Sequence, residues 1–136
     1  MNTTTVRWIG GEQFVGTDST NHSIVLSTTD AGTGMKPSEL LIIALASCTA
    51  VDVVSILEKK RKKITGLEII ASFEQDKDPP WAFRKIHLKY LVSGSGLTEK
   101  DVTKAIELSE SKYCSVSATV RGVAEITNEF EIISEN

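Results

Sequence analysis

Apolar and polar residues alternate with a period of two in several parts of the chain, and this pattern predicts strands. Near the N-terminus, short β-branched segments are separated by Gly10-Gly11 and by a polar turn. They predict strands over 3–9, 13–17 and 22–27. Two later segments predict a hairpin with one buried face. Its apolar positions are Leu67, Ile69, Ala71 and Phe73 on one strand and Ile86, Leu88, Tyr90 and Val92 on the other.

Two helices are predicted between these strands and beyond them. The first follows a polar, glycine-containing loop over 28–34, begins at Pro37 and runs past Leu57 into the basic run 58–63. That run is expected to complement the helix dipole rather than to bind an anion. The second begins at Thr98, where the sequence resembles a capping box, and ends near Tyr113.

A short helical turn over 115–120 and a last strand over 123–133 complete the pattern. The apolar face of that strand contains Ala124, Ile126, Phe130 and Ile132. There is no internal repeat or linker, so residues 1–136 are predicted to form a single α+β domain.

Charge and apolar content exclude several classes of partner. A formal net charge of -3 argues against nucleic acid. The first residues lack the basic start and apolar stretch of a signal peptide, so a cytoplasmic location is expected. Residues 40–57 are mostly apolar, but a central Asp52 costs about 2.5 to 3.5 kcal/mol in a membrane. We therefore interpret this segment as a buried core helix and expect no membrane partner.

The chain contains two cysteines, Cys48 and Cys114. They lie far apart, without CxxC spacing, and neither His22 nor His87 pairs with them in a zinc motif, so no metal or cofactor is expected. Cysteines that pair in the cytosol usually do so transiently, in catalysis or redox sensing. The alternative is that both are small, inert, buried hydrophobic residues. His87, between lysines on a polar strand face, is expected to be a surface residue.

Two stretches resemble one known family. Residues 37–57 have the sequence PSELLIIALASCTAVDVVSIL, and residues 112–118 have the sequence KYCSVSA. Both resemble cysteine motifs of the OsmC/Ohr family (osmotically inducible protein C and organic hydroperoxide resistance proteins). The residues of the first motif are most similar to those of the family's YhfA-like branch. The order of elements also matches over nearly the whole chain. The resemblance implies an OsmC-like fold, with antiparallel sheets around a long central helix, in an interwoven homodimer.

The same resemblance implies a thiol peroxidase mechanism. Cys48 would be the peroxidatic thiol, Cys114 the resolving thiol and Glu39 a supporting carboxylate. The Cys48 thiolate would reduce a small organic hydroperoxide and become a sulfenic acid. Cys114 would then form a disulfide with it, which an external dithiol reductant would reduce.

Helix geometry affects the role of Glu39. Glu39 and Cys48 are nine residues apart, so at about 100° per residue they point to opposite sides of one helix. If both serve one site, Glu39 comes from the partner subunit. Alternatively, Glu39 is only a first-turn acid that opposes the helix dipole.

One family feature is missing from this sequence. In the family's peroxidases an arginine ahead of the central helix holds the thiol as thiolate and is itself held by the glutamate. There is no arginine between Gly10 and Lys36, where His22 and Lys36 are the cationic candidates. Asp52, one turn after Cys48, opposes thiolate formation if its charge lies nearby.

Three hypotheses follow from these observations. The first is a thiol-dependent peroxidase or slower thiol redox protein that acts on organic hydroperoxides. The second is a non-catalytic dimer that binds a small apolar ligand or senses oxidation. The third is a structural dimer whose cysteines are inert.

Overall fold

The computed structural model describes residues 1–28 and 32–135 of the chain. Contacts between these residues divide the chain into two compact units, Met1–Leu41 and Ile42–Asn136. The middle of the predicted glycine-containing loop, residues 29–31, lies outside the described residues.

The first unit is a three-stranded antiparallel sheet followed by the start of a helix. Its elements are β1 (Thr5–Gly10), β2 (Gln13–Thr17), β3 (Ser23–Ser27) and the first residues of α1 (Pro37–Lys59). The strand order is β1-β2-β3, with antiparallel pairing throughout. The three predicted strands are therefore confirmed, with shifts of one or two residues at their ends.

The chain that leads to α1 is held against β3. The Ser27 hydroxyl donates to Gln13 Oε1 at 2.6 Å and accepts from the Gly34 amide at 2.8 Å. A Cβ atom at Gly34 would lie 2.7 Å from the Val25 backbone, so only glycine allows this close approach.

The second unit contains most of α1, a second sheet and the remaining helices. Its further elements are β4 (Lys63–Gln75), β5 (Phe83–Ser95), α2 (Glu99–Leu108), a π-helical turn (Ser109–Tyr113), α3 (Ser115–Val120) and β6 (Glu125–Ser134). The strand order is β4-β5-β6. The predicted hairpin and capped helix are confirmed; the Thr98 hydroxyl accepts a 3.2 Å hydrogen bond from the Asp101 amide.

The expectation of antiparallel sheets is wrong for one strand pair of this unit. Strand β4 is antiparallel to β5, but β6 pairs with β5 in parallel. The helical connection from 96 to 124 carries the chain back along the sheet before β6 begins, and such a crossover is what parallel neighbours require.

One apolar core lies between α1, α2 and the sheet of the second unit. Helix α1 contributes Ile42, Leu45, Thr49, Val53 and Leu57, spaced three or four residues apart as one helical face requires. The predicted strip of β5, from Ile86 to Val92, is also buried. By length and composition α1 could cross a membrane. This packing supports its interpretation as a core helix.

The basic run after α1 differs from expectation. The helix ends at Lys59, and Lys63 already begins β4. Lys60 and Lys62 lie 3.6 Å and 3.2 Å from the Asp101 carboxylate at the start of α2. Lys59 lies in the last turn of α1, as expected for a residue that complements the helix dipole, and Lys60 and Lys62 also pair with the start of α2.

Candidate functional site

The two cysteines, far apart in sequence, meet in the second unit. Cys48 lies in the middle of α1 and is partly buried, and Cys114 follows the π-helical turn and is 2% exposed. Both are free thiols, and their side chains lie within hydrogen-bonding reach of each other. The structure therefore brings together the two predicted thiols.

Cys114 is fixed by the local backbone on both sides. Its amide donates a 2.8 Å hydrogen bond to the Ser109 carbonyl and so closes the π-helical turn. It is also the N-cap of α3, where its sulfur accepts a 3.3 Å hydrogen bond from the Ser117 amide. The N-cap position usually holds a side-chain oxygen acceptor, and here a thiol occupies it. π-helical turns occur frequently at functional sites.

The surroundings of Cys114 favour its protonated form. Burial, followed by the hydrogen bond with Cys48, raises the pKa of the Cys114 thiol to about 11. The Ser117 amide acts in the opposite direction, because it donates to the sulfur, but its effect is smaller. A thiol in this state is a poor nucleophile until a base or a neighbouring oxidised sulfur draws its proton away.

Asp52 connects the segment of Cys48 with that of Cys114. It lies one turn after Cys48 on α1, and its carboxylate accepts a 2.8 Å hydrogen bond from the buried Ser109 hydroxyl. Because Ser109 also binds the Cys114 amide through its carbonyl, this residue contacts both segments.

A polar network lies beside the two thiols. The hydroxyl of the fully buried Tyr90, on β5, donates to Glu110 Oε1 at 3.1 Å. The other oxygen of Glu110 accepts a 2.9 Å hydrogen bond from Asn128 Nδ2, on β6. Thr49, the residue after Cys48, also lies within hydrogen-bonding reach of the Tyr90 hydroxyl. The network therefore runs from α1 to the π-helical turn.

The pKa is raised for both ionisable members of this network. Burial raises the pKa of Glu110, although hydrogen bonds from Tyr90 and Asn128 oppose the shift. Burial also strongly raises the pKa of the Tyr90 phenol, and charge on Glu110 or Cys114 raises it further.

An open cavity of about 530 Å³ gives solvent access to this network. It is lined by Glu107, Glu110, Ser111, Ser117, Arg121, Ala124, Glu125 and Ile126. Glu110 belongs both to this lining and to the polar network, and Ser117 is the residue whose amide binds the Cys114 sulfur. The cavity therefore adjoins the thiol site without including either sulfur.

The other predicted residues lie in the first unit. Glu39 is in the first turn of α1, where its carboxylate lies 3.9 Å from Lys36 Nζ. His22 is exposed, and its Nδ1 is 2.7 Å from the Thr20 hydroxyl. The roles of these three residues stay predictions.

His87 lies on the sheet of the second unit. It contacts the Thr127 hydroxyl at 2.7 Å and the Glu129 carboxylate, both on β6. Within 1–28 and 32–135, no group of three or more histidine, cysteine or acidic side chains is arranged to hold a metal ion.

The sequence interpretation missed four functional candidates, and each had a weak signal. Tyr90 and Asn128 occupy the apolar faces of β5 and β6, where a polar side chain departs from the pattern, and the buried Tyr90 hydroxyl needs a partner. Ser109 continues the inner face of the second predicted helix, after Ala105 and Ile106. Glu110 follows it directly, in the turn before the second cysteine motif.

Three comparisons place this geometry among known proteins. Residues 29–129 match the protein family described as OsmC-like protein. Protein YhfA of Escherichia coli strain K12 is 32% identical over 129 residues, which cover 95% of this chain and 96% of that protein.

Two solved structures share the fold. The crystal structure of an OsmC-like protein from Mycoplasma pneumoniae has a TM-score of 0.83 and 16% identity, and the alignment covers 98% of this chain and 97% of that one. The organic hydroperoxide resistance protein OsmC of Legionella pneumophila has a TM-score of 0.68 and 12% identity, with 96% of each chain covered.

Proposed function

This chain belongs to the OsmC-like protein family, and we propose that it is a thiol redox protein that reduces organic hydroperoxides through Cys48 and Cys114. The single observation that carries the proposal is the direct approach of the two thiols. An attacking thiol with a second thiol beside it is the arrangement that converts a sulfenic acid into a disulfide without large movement.

The proposed reaction has two steps on the protein. The Cys48 thiolate attacks the distal oxygen of the hydroperoxide, the O–O bond breaks, and an alcohol leaves after taking up a proton. The sulfur of Cys114 then attacks the Cys48 sulfenic acid, and its own proton leaves with the hydroxyl as water. The balance is two thiols and one hydroperoxide to one disulfide, one alcohol and one water. An external dithiol restores the thiols.

The roles of the two cysteines follow from how exposed each thiol is. Cys48 is the more exposed thiol and is therefore assigned the attack on the peroxide. Cys114 is buried and its pKa is raised to about 11, so it is assigned the resolving role, in which the electrophilic sulfenic sulfur lies next to it.

A second copy of the chain is proposed to cover the outer face of α1. In the second unit, Ala50, Val51, Val54 and Leu67 help to form an open, largely apolar groove of about 730 Å³. Val51 is 68% exposed on this helix. Exposed apolar area of this kind on a helix usually marks an interaction surface. In such a homodimer, Glu39 of one chain would support Cys48 of the other.

A non-catalytic, oxidation-sensing or ligand-binding role is the alternative. The raised pKa of Cys114 favours it, because a thiol that stays protonated resolves slowly. In that case the same disulfide would form without rapid turnover. The OsmC-like fold is that of a soluble protein, and we propose a cytoplasmic location, where dithiol reductants are available.

The test is the reaction of the fully reduced protein with one equivalent of tert-butyl hydroperoxide. We expect loss of two thiols per chain within seconds and a Cys48–Cys114 linkage within one chain by peptide mapping. Cys114→Ser should accumulate a sulfenic acid that dimedone traps, whereas Cys48→Ser should not consume peroxide. Thiols that stay free, or only Cys48–Cys48 bonds between chains, would overturn the proposal. Disulfide formation over minutes to hours would favour the sensing role.

A further inference from the structure

We propose that Glu110 is a positioning residue for Cys114, and that its attachment to the sheet favours the Cys48–Cys114 disulfide over the two free thiols. The inference rests on the proposed dithiol function and adds to it a residue that acts through its neighbours. Glu110 is suited to this role because its side chain and its backbone carbonyl bind different elements of the second unit.

The Glu110 carboxyl group is held by two neighbouring strands. Its Oε1 accepts a 3.1 Å hydrogen bond from the hydroxyl of the fully buried Tyr90 on β5, and its Oε2 accepts a 2.9 Å hydrogen bond from Asn128 Nδ2 on β6. In the strand register Asn128 pairs with Leu88, two residues before Tyr90, so both donors lie on the same face of the sheet. The π-helical turn is therefore attached to the sheet at Glu110.

The Glu110 carbonyl group is held by α3. It accepts a 3.2 Å hydrogen bond from the Ser117 hydroxyl and a 3.3 Å hydrogen bond from the Arg121 guanidinium. The amide of the same Ser117 donates to the Cys114 sulfur at 3.3 Å. Hydrogen bonds therefore connect the sheet with the Cys114 sulfur through Glu110 and Ser117.

The backbone around Cys114 depends on such contacts. Cys114 has an extended conformation (φ -79°, ψ 107°) between the π-helical turn and α3, so neither helix continues through it. π-helical turns are rare, and the sequence SESKY contains no glycine or proline that would impose one. Ser109 binds this turn to Asp52 on α1, and Glu110 binds it to the sheet. Loss of the Glu110 contacts should therefore loosen the segment from which Cys114 projects.

The position of Cys114 affects the stability of the disulfide. A disulfide requires a specific geometry of both sulfurs and both Cβ atoms. If the reduced protein already holds Cys114 in that geometry, less conformational freedom is lost when the bond forms, and the effective concentration of one thiol at the other is higher. Without the Glu110 contacts, the reduced form can relax but the disulfide form cannot. A merely structural contact would instead stabilise both forms equally and leave the redox equilibrium unchanged.

The experiment measures the equilibrium of the thiol pair with glutathione. One protein dithiol and one glutathione disulfide give one protein disulfide and two glutathione thiols, so two electrons and two protons pass to glutathione. Samples are quenched with acid and alkylated, and mass spectrometry separates the protein disulfide from glutathione adducts. We expect the equilibrium constant of Glu110→Ala to be about tenfold below that of the wild type, the effect expected when partly buried hydrogen bonds are lost.

Three further variants make the result specific. In Glu110→Gln the new amide oxygen can still accept from Tyr90, and the Asn128 amide can turn to accept from the new amide nitrogen, so the constant should stay within about threefold of wild type. Asn128→Ala removes one attachment at an exposed position and should lower the constant, which keeps the test available if Glu110→Ala does not fold. Glu107→Ala changes the same cavity and should leave the constant unchanged.

Several results would contradict the positioning role. Equal constants for wild type, Glu110→Ala and Asn128→Ala would overturn the inference. A constant as low in Glu107→Ala or in Glu110→Gln as in Glu110→Ala would also overturn it. No peroxide is used, so these results leave the proposed function standing. A wild-type protein that forms no Cys48–Cys114 disulfide at any glutathione ratio would overturn the proposed function and the inference with it.

Discussion

The Ser109 hydroxyl donates a 2.8 Å hydrogen bond to the Asp52 carboxylate, and so connects the helix that carries Cys48 to the turn that carries Cys114. The Ser109 carbonyl accepts from the Cys114 amide at 2.8 Å. One buried serine thus fixes the separation of two sulfurs that come from distant parts of the sequence. Holding two reacting groups close together in this way contributes much of the rate enhancement of an intramolecular reaction.

Ser109→Ala is expected to lower the free energy of unfolding by about 1 to 3 kcal/mol, because it leaves Asp52 with one donor fewer. It should also slow formation of the Cys48–Cys114 disulfide by diamide. The matched control is Ser111→Ala, an exposed serine of the same turn whose hydroxyl donates to the Glu107 carbonyl. Urea unfolding and thiol titration check both effects. Equal unfolding free energies and equal rates of disulfide formation in the two variants would contradict a connecting role for Ser109.

The cation that activates Cys48 is predicted to be His22 or Lys36. Replacing the activator with alanine should slow alkylation of Cys48 by iodoacetamide near neutral pH, because less thiolate is present. Alkylation rates of His22→Ala and Lys36→Ala, measured in the Cys114→Ser background, decide between them. Rates unchanged in both variants would argue for the sensing role.

The proposed dimer contact on α1 is tested by a charge placed on its exposed face. Val51→Glu should convert the protein to monomers at micromolar concentration, since an unpaired buried carboxylate costs about 3 kcal/mol or more. Val123→Glu is the control, because Val123 is similarly exposed, at 62% against 68%, but lies outside α1. Sedimentation velocity gives the oligomeric state. A wild-type protein that is already monomeric would refute the dimer.

Burial of Glu110 predicts a dependence of stability on pH. Its pKa in the folded protein is raised above the ordinary value of 4.5, so the folded state holds this proton more tightly than the unfolded chain does. That contribution is fully present below about pH 4.5 and is lost as pH rises through the raised pKa. The side chain at this position cannot ionise in the Glu110→Gln variant, so the variant does not lose this stability as pH rises.

The wild type should therefore lose stability relative to Glu110→Gln as pH rises from about 4 to about 8. Urea unfolding of both proteins at several pH values measures this difference. Stability curves that run parallel over the whole range would contradict the prediction.

Local sequence signals predicted most of the elements. The alternation in β4 and β5, the cap at Thr98 and the proline at the start of α1 act through neighbouring residues, so a single sequence contains the information. The pairing of Cys48 with Cys114 came from the family motifs. The parallel direction of β6 was not predicted, because it depends on the path of the whole connection from 96 to 124.

The polar contacts of the site could not be predicted from a sequence pattern either. Asn128 interrupts the apolar face of β6, but nothing nearby in the sequence indicates that its partner is Glu110. The π-helical turn arises where α2 continues for one wider turn before Cys114, and its sequence, SESKY, contains no glycine or proline to indicate it. These features result from tertiary contacts, which override local propensity.

The parallel pairing of β6 has a consequence for the order of folding. Strands β4 and β5 are joined by residues 76–82 alone, so their hairpin closes a short loop. Strand β6 reaches β5 only after the whole segment that carries Cys114 has been enclosed, and closing a longer loop costs more chain entropy. We expect the hairpin to form early and the thiol pair to assemble late. While the chain folds, both cysteines are therefore exposed to mispairing between molecules, and reducing conditions should raise the yield of refolded protein.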